Sequence, residues 1–572
     1  MIYRTEHPKP QFMRKNWTNL NGIWQFEQDP GVSGEARGLA KPDAVFSKEI
    51  NVPFCPESTL SGIGCKDFIP SVWYQRKISV TEEQLQGRVL LHFGAVDHQA
   101  KVFVNGQKAG SHKGGYCSFS FDTTPLLTAG ENTLTVQAID PAPRHIPSAG
   151  MQPVGKQSDR YESYGCLYTR TTGIWQTVWM EFVPKTYIIK TKYITDAENG
   201  ILTITASLQG KGALTAEAFF EGKPMGRASL SSNGGTAILS LPLAETHLWE
   251  VGKGGLYDLT LTYGEDKVQS YFGLRTLELD GCKFRINGKS VFQRLVLDQG
   301  FFPDGIYTAP SDAELEADID RALAMGFNGA RLHEKVFEER YLYHCDRKGY
   351  LAWGEFPNWG VEPSRADAIH AVLPEWLEVL ERDFNHPAII GWCPLNETNI
   401  HQCDDVIRNV YLATKAADPT RPCIDTSGYF HVETDIYDVH DYEHDVEKLV
   451  SYYKGMPFDI QEPTQRSARR KGKQAYDGKL PFFVSEYGGI SYRTEGKIWG
   501  YGTEIKNDEE FLALFRGITD VFLDNPYIFG FCYTQLTDVE QEQNGLYFYN
   551  RKPKIAPEKV RKIMERKAAI ED

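Results

Sequence analysis

The chain contains no run of about 20 apolar residues, so nothing in it reads as a membrane-spanning helix. Its start, "MIYRTEHPKPQFMRKNW", lacks the apolar centre of a secretory leader. The expectation is a soluble cytoplasmic protein, although a secreted chain already freed of its leader would read the same. Ten cysteines are scattered without a Cys-x-x-Cys pair or a Cys/His ladder, which argues against structural zinc and against a disulfide framework. Positive charge is also scarce: 62 Lys plus Arg face 76 Asp plus Glu, a net charge of −14 that would repel nucleic acid and anionic membranes. The basic cluster Arg466–Lys473, "RSARRKGK", has no interleaved aromatics to stack on bases and reads as a solvated loop.

What is present suits a large folded protein. With 41% apolar and 12% aromatic residues over 572 positions, the chain exceeds one hydrophobic core, and roughly two to four domains are expected. Up to residue 185 the pattern is short alternating strands, among them "VWYQRKISV", "GRVLLHFGAV" and "GIWQTVWMEFV", which predicts a jelly-roll β-sandwich. Asn105-Gly106 marks a tight hairpin within it, because both turn positions need positive φ. Residues 186–275 continue with strands over the length of one immunoglobulin-like sandwich.

From residue 276 to 572 strands alternate with helices. Ser311-Asp312-Ala313-Glu314 is a capping box opening a helix with Leu315, Ile319 and Leu323 on one face and Gly326 as its stop. Leu373, Trp376, Leu377, Leu380 and Phe384 predict a second amphipathic helix; Phe511, Leu514, Phe515, Ile518 and Phe522 predict a third. Between helices lie eight apolar runs: "VFQRLVLDQ", "FNGARLH", "YLAWGEF", "AIIGWCPLNE", "PCIDTSG", "IYDVHDY", "PFFVSEYG" and "IFGFCYTQLTD". Eight such runs over about 290 residues predict a (β/α)8 barrel, with chemistry at the C-terminal ends of its strands.

The fourth run ends in Asn396-Glu397 and the seventh in Ser485-Glu486-Tyr487. Strands four and seven lie on opposite sides of a barrel mouth, so the two carboxylates can face each other across a pocket for one sugar. Glycosidic cleavage needs such a pair, one to protonate the leaving oxygen and one to attack or to activate water. Either glutamate alone is equally readable as a cap or a surface residue. Trp353, Trp359, Trp392, Tyr442, Tyr487 and Tyr533 cluster in the same segments, where flat rings suit sugar faces; each by itself also suits core packing.

These motifs, together with "FVNGQKAG", "YFGLRTLELDGCKFRINGK", "CDRKGYLAWGE", "WCPLNETN" and "FFVSEYGG", resemble glycoside hydrolase family 2 over most of the chain. The resemblance implies a retaining β-glycosidase with Glu397 as acid/base and Glu486 as nucleophile. It implies Asn396 as donor to the sugar 2-hydroxyl, Tyr442 as the residue holding the nucleophile, and Arg331 as the second-strand arginine. His333, Asp298, Glu355, His440, Tyr487 and Tyr533 complete the candidate sugar contacts.

The sequence departs from that family in three places. Asp298 stands where a His is common, and Arg331 is followed by Leu332-His333-Glu334-Lys335, so His333 can serve from a shifted position or merely cap and pack. Beyond the third run, Asn358, Trp359 and Val361 are poor ligands for a hard cation, so no metal or other cofactor is expected. The Asn-x-Lys by which the family's glucuronidases pair the sugar carboxylate is replaced by Glu542-Gln543-Asn544; Asn550-Arg551-Lys552 matches only formally. A terminal β-galactoside is therefore the expected substrate, with β-glucuronidase as the alternative and β-mannosidase or arabinosidase behind it. A barrel that has lost catalysis and only binds carbohydrate is the alternative of another class. Homo-oligomerisation stays open, as does the role of the loop from Gln461 to Lys479.

Overall fold

In the first domain, long antiparallel strands pair side by side: Ser71–Val80 runs against Gly130–Ile139 over its whole length. The computed structural model describes residues 2–141, 151–458, 476–496 and 498–572. The basic run Arg466–Lys473 and the greater part of the 461–479 loop lie outside the described residues. Among the described residues, six strands form one sheet and four the other, and alternate residues such as Val89, Leu91 and Phe93 fill the space between them. The hairpin joining Gln99–Val104 to Gln107–Lys113 turns at Asn105 (φ 50°) and Gly106 (φ 79°), as the sequence predicts.

The second domain is a sandwich of three and four strands between Tyr187 and Phe272. Leu202, Ile204, Ala206 and Leu208 of one sheet face Leu214, Leu259 and Leu261 of the other. Arg14 ties the two sandwiches together, bonding Glu181 at 2.7 Å and Asp266 at 2.9 Å. A small sheet over residues 277–290, which the sequence reading did not foresee, then sets Phe284 against Phe529 beside the barrel's last strand.

Among the described residues, seven parallel strands form the barrel wall: Gln293–Asp298, Gly329–Leu332, Leu351–Glu355, Ile389–Cys393, Tyr437–Asp441, Phe482–Gly488 and Ile528–Thr534. These are seven of the eight predicted runs. The remaining one, fifth in order, touches the fourth strand only through single bridges, Trp392 to Cys423 and Asn396 to Ser427. It begins at Pro422, which lacks an N–H, and Asp425 takes the amides of Thr426, Val432 and Glu433 instead of leaving them to a ladder.

Ser311 caps the helix Asp312–Ala324 by accepting from the Glu314 amide, and Gly326 follows at φ 89°. In the helix Ile369–Asp383 the buried stripe is Val372, Glu375, Trp376, Val379 and Leu380. Leu377, expected on that stripe, is 39% exposed. The stripe is rotated because Glu375 is drawn inward to accept from the Tyr116 amide of the first sandwich at 2.7 Å. Among the described residues no helix is long and apolar enough to cross a membrane.

Candidate active site

Alternation delivers most of the site. On the sixth strand Asp438 and His440, and Tyr442 just past its end, point into the barrel mouth, while Asp441 faces outward and accepts from Tyr453. Glu486 would not follow from alternation alone. Phe483 faces inward, stacked on Trp353, and strict period two would send Glu486 outward. The pairing with the eighth strand shifts register between Val484 and Tyr487, and this extra residue turns Glu486 in and Tyr487 out. Neighbours Asn396 and Glu397 both reach the mouth because Glu397 adopts φ 49°, a left-handed conformation costly for a side chain other than glycine. Its amide is fixed by the Ser427 carbonyl at 2.9 Å.

A carboxylate oxygen of Glu397, one of Glu486 and Nδ1 of His440 lie within 4.8 Å of one another. His440 Nδ1 is 2.8 Å from Glu397 and 3.4 Å from Glu486. Tyr442 donates to Glu486 Oε2 at 2.5 Å, and Arg331 donates to Oε1 at 3.0 Å. Burial works to raise the Glu486 carboxyl, but the charges of His440 and Arg331 outweigh it and hold the group below the ordinary range. Three ligand-type groups so close could also chelate a cation, yet both Glu486 oxygens already accept strong bonds.

Arg331 organises the floor. It bonds Glu355 at 2.6 Å, Glu486 at 3.0 Å and Asn396 Oδ1 at 2.6 Å, linking four strands through one planar fork. Asn358 grips the Asn396 backbone through two bonds, so this residue acts by holding its neighbour. Asn396 Nδ2 remains buried with no hydrogen-bond partner among the described residues. His333 Nδ1 meets Glu355 at 2.9 Å; burial and then the Lys156 ammonium lower its basicity. Burial would raise Glu355, but Arg331 and His333 bring it down to about 2.

Arg331, His333, Glu355, Asn396, Glu397, His440, Tyr442 and Glu486 thus come together. Three candidates do not. Asp298 ends its strand facing the helix layer, where it accepts from Gly300 N at 2.9 Å and Tyr341 at 3.2 Å, its carboxyl raised to about 6 chiefly by burial and Asp318. Tyr487 bonds Thr519 and packs on Phe522, and Tyr533 packs on Phe515, all three partners belonging to the helix Asp508–Leu523. Their inward neighbours, not these rings, line the mouth. Trp353 and Trp392 are likewise core, Trp353 donating to Gln293 and Trp392 to Asp418.

Sequence reasoning missed Tyr501, which stacks flat on Tyr442 at 3.8 Å and 4°. It also missed the segment 151–172 of the first sandwich, which lies over the barrel mouth. Val154 and Gly155 donate to the Trp359 carbonyl, Tyr168 donates to Glu542, and Gln541 donates to the Gly165 carbonyl. Gly155 sits at φ 55°, and a Cβ there would fall 2.2 Å from the Glu334 carbonyl, so only glycine permits this approach. No alternation or motif marks such a segment, because its shape is set by the barrel beneath it.

Residues 18–146 match the model of the glycosyl hydrolases family 2 sugar binding domain, and residues 315–568 match that family's TIM barrel domain. A β-glucuronidase of Streptococcus agalactiae is 23% identical, covering 96% of both chains. One of Paenibacillus borealis is 25% identical over 71% of this chain and 72% of its own. A Formosa agariphila relative is 26% identical over 69% of this chain, which spans only 48% of that relative's length. Among solved structures, Ruminococcus gnavus β-glucuronidase superposes with a TM-score of 0.78 at 17% identity, over 98% of this chain and 100% of that one. With both domain models matched in order and the barrel and sandwiches in place, the chain belongs to glycosyl hydrolase family 2.

Proposed function

We propose that the protein is an exo-acting retaining β-glycosidase that removes terminal β-linked glucuronic acid, with Glu486 as nucleophile and Glu397 as acid/base. The observation that carries the reading is the approach of Glu397 and Glu486 within 4.8 Å in unequal surroundings. Retaining enzymes set their carboxyl groups about 5 to 5.5 Å apart, whereas inverting ones leave roughly 6.5 to 9.5 Å for a water. Arg331 and Tyr442 favour Glu486 as the anion that attacks the anomeric carbon. Glu397, the less buried of the two, hands its proton to the leaving oxygen. Once Glu486 is an ester its charge is gone, and Glu397 becomes the base that activates water. The unpartnered Asn396 amide suits the sugar 2-hydroxyl, a bond that tightens as positive charge develops at the anomeric carbon.

The galactoside expected from the loop sequence gives way to a glucuronide because the aligned relatives from Streptococcus agalactiae and Paenibacillus borealis carry the name β-glucuronidase. Glu542 and Asn544 bond each other at 3.1 Å at the place where an ammonium was looked for, and Arg551 turns away to Asp318 at 3.2 Å. A cation for the sugar carboxylate has to come from elsewhere in the fold.

The test is to incubate the protein with a 2-fluoro glucuronide that traps the covalent intermediate and to map the labelled peptide. Label on Glu486 supports the reading, and label on any other residue overturns the assignment. Glu397→Gln is expected to slow unactivated substrates by about 10²- to 10⁴-fold while sparing the first step for nitrophenyl leaving groups. Equal loss for every leaving group would count against its acid role.

A further inference from the structure

Lys156 is a buried cation over the barrel mouth that the chemistry above leaves unused. It is contributed by the first sandwich, on the segment whose backbone is pinned to the barrel: Met151 bridges to Val361, and Lys156's own carbonyl accepts from Tyr168 N at 2.7 Å. The residue is 5% exposed. Its ammonium lies 3.8 Å from the centroid of the Trp359 ring, and among the described residues it makes no hydrogen bond or ion pair. Burying an ammonium without a bonded counter-charge is costly. Burial disfavours its charge, but Cys166 and then the carboxylates of Glu542, Glu397 and Glu486 outweigh that and raise the group above the usual lysine value. Geometry locates it: the ring it faces is that of Trp359, just past the barrel strand Leu351–Glu355, and the Trp359 amide donates at 3.1 Å to Glu334, the residue after His333.

The surrounding acids are otherwise engaged. Glu542 accepts from Tyr168 on one oxygen and from Asn544 on the other, and Glu397 is bonded to His440.

We propose that Lys156 is the specificity-determining residue for the sugar, its free ammonium pairing with a carboxylate on the terminal ring. This rests on the glucuronide reading above and moves the carboxylate-recognising charge from the barrel's last loop to the first sandwich. A cation and an aromatic face at one wall fit an anionic sugar: the Trp359 ring orients the ammonium, and three ammonium protons remain available.

The experiment compares wild type, Lys156→Met and Lys156→Arg on 4-nitrophenyl β-D-glucuronide and on the neutral 4-nitrophenyl β-D-glucoside. Losing a charge-assisted bond is expected to lower kcat/KM on the glucuronide by roughly 10- to 100-fold in Lys156→Met. The glucoside value should stay within about threefold, and Lys156→Arg should recover part of the discrimination. The ratio of the two substrates is the readout, because a folding defect lowers both together, and Lys156→Arg keeps the test alive should the Met variant not accumulate. Equal loss on both substrates, or no change in the ratio, overturns the assignment of Lys156 alone. Wild type that cleaves the glucoside and not the glucuronide overturns the glucuronide reading and this assignment with it.

Discussion

Glu486 and Tyr442 share a 2.5 Å hydrogen bond in which the phenol donates to a carboxylate already depressed against the pull of burial. Such a donor favours the charged form, so its removal raises the nucleophile's pKa. In Tyr442→Phe the acid limb of the kcat/KM profile should therefore move to higher pH while the alkaline limb stays, a shift that a pH series on wild type and variant measures directly. An unmoved acid limb would mean that His440 and Arg331 set the charge state without the phenol. At this scale much was legible. Glu397, Glu486, Asn396, Arg331 and Tyr442 follow from apolar runs ending in polar residues and from the family resemblance. Tyr487 was misplaced because a single extra residue in the seventh strand reverses which neighbour faces inward, and nothing in "FFVSEYGG" announces it; Tyr533, on the last strand, packs outward on Phe515.

At the level of elements, the second, third, fourth and seventh strands are clamped by Arg331 and by Glu355, whose carboxyl sits at about 2 after Arg331 and His333 overcome burial. A free glutamate in the unfolded chain titrates near about 4.3. The folded value is the lower one, so this contribution to stability is complete above about pH 5 and drains away as pH falls towards 2. Glu355→Gln should cost about 3 kcal/mol at pH 7, read as a lower urea midpoint, with the difference from wild type shrinking at pH 3. A constant difference across that range would show that packing, not charge, is lost. Helices with a clear stripe and cap were legible down to Ser311. The fifth strand was legible as a run but not as an irregular one, since Asp425's competition for backbone amides depends on residues seven and eight positions away.

For the whole molecule, the sandwich and barrel share one core: Tyr116, Cys117, Tyr168 and Trp175 belong to the same buried cluster as the barrel's Phe301, Tyr307 and Trp376. Thr308 also donates to the Trp175 carbonyl at 2.5 Å, and Arg4 pairs with Glu338 at 2.8 Å. Residues 276–572 expressed alone should bind a hydrophobic dye, melt below the full chain and show no turnover. A stable active barrel would separate folding from the sandwich altogether. Domain order was readable from the change of rhythm along the chain, but docking was not, because it is carried by scattered pairs more than a hundred residues apart.

The segment 151–172 gives this arrangement a further consequence. With Lys156 assigned to the terminal ring, the wall that reads the sugar arrives from one stretch of chain and the proposed bond-breaking pair from another far downstream, so the two can drift independently. Lineages could trade one sugar for another by exchanging a short piece of the amino-terminal domain, leaving the reaction itself untouched, and an engineer could recombine them the same way.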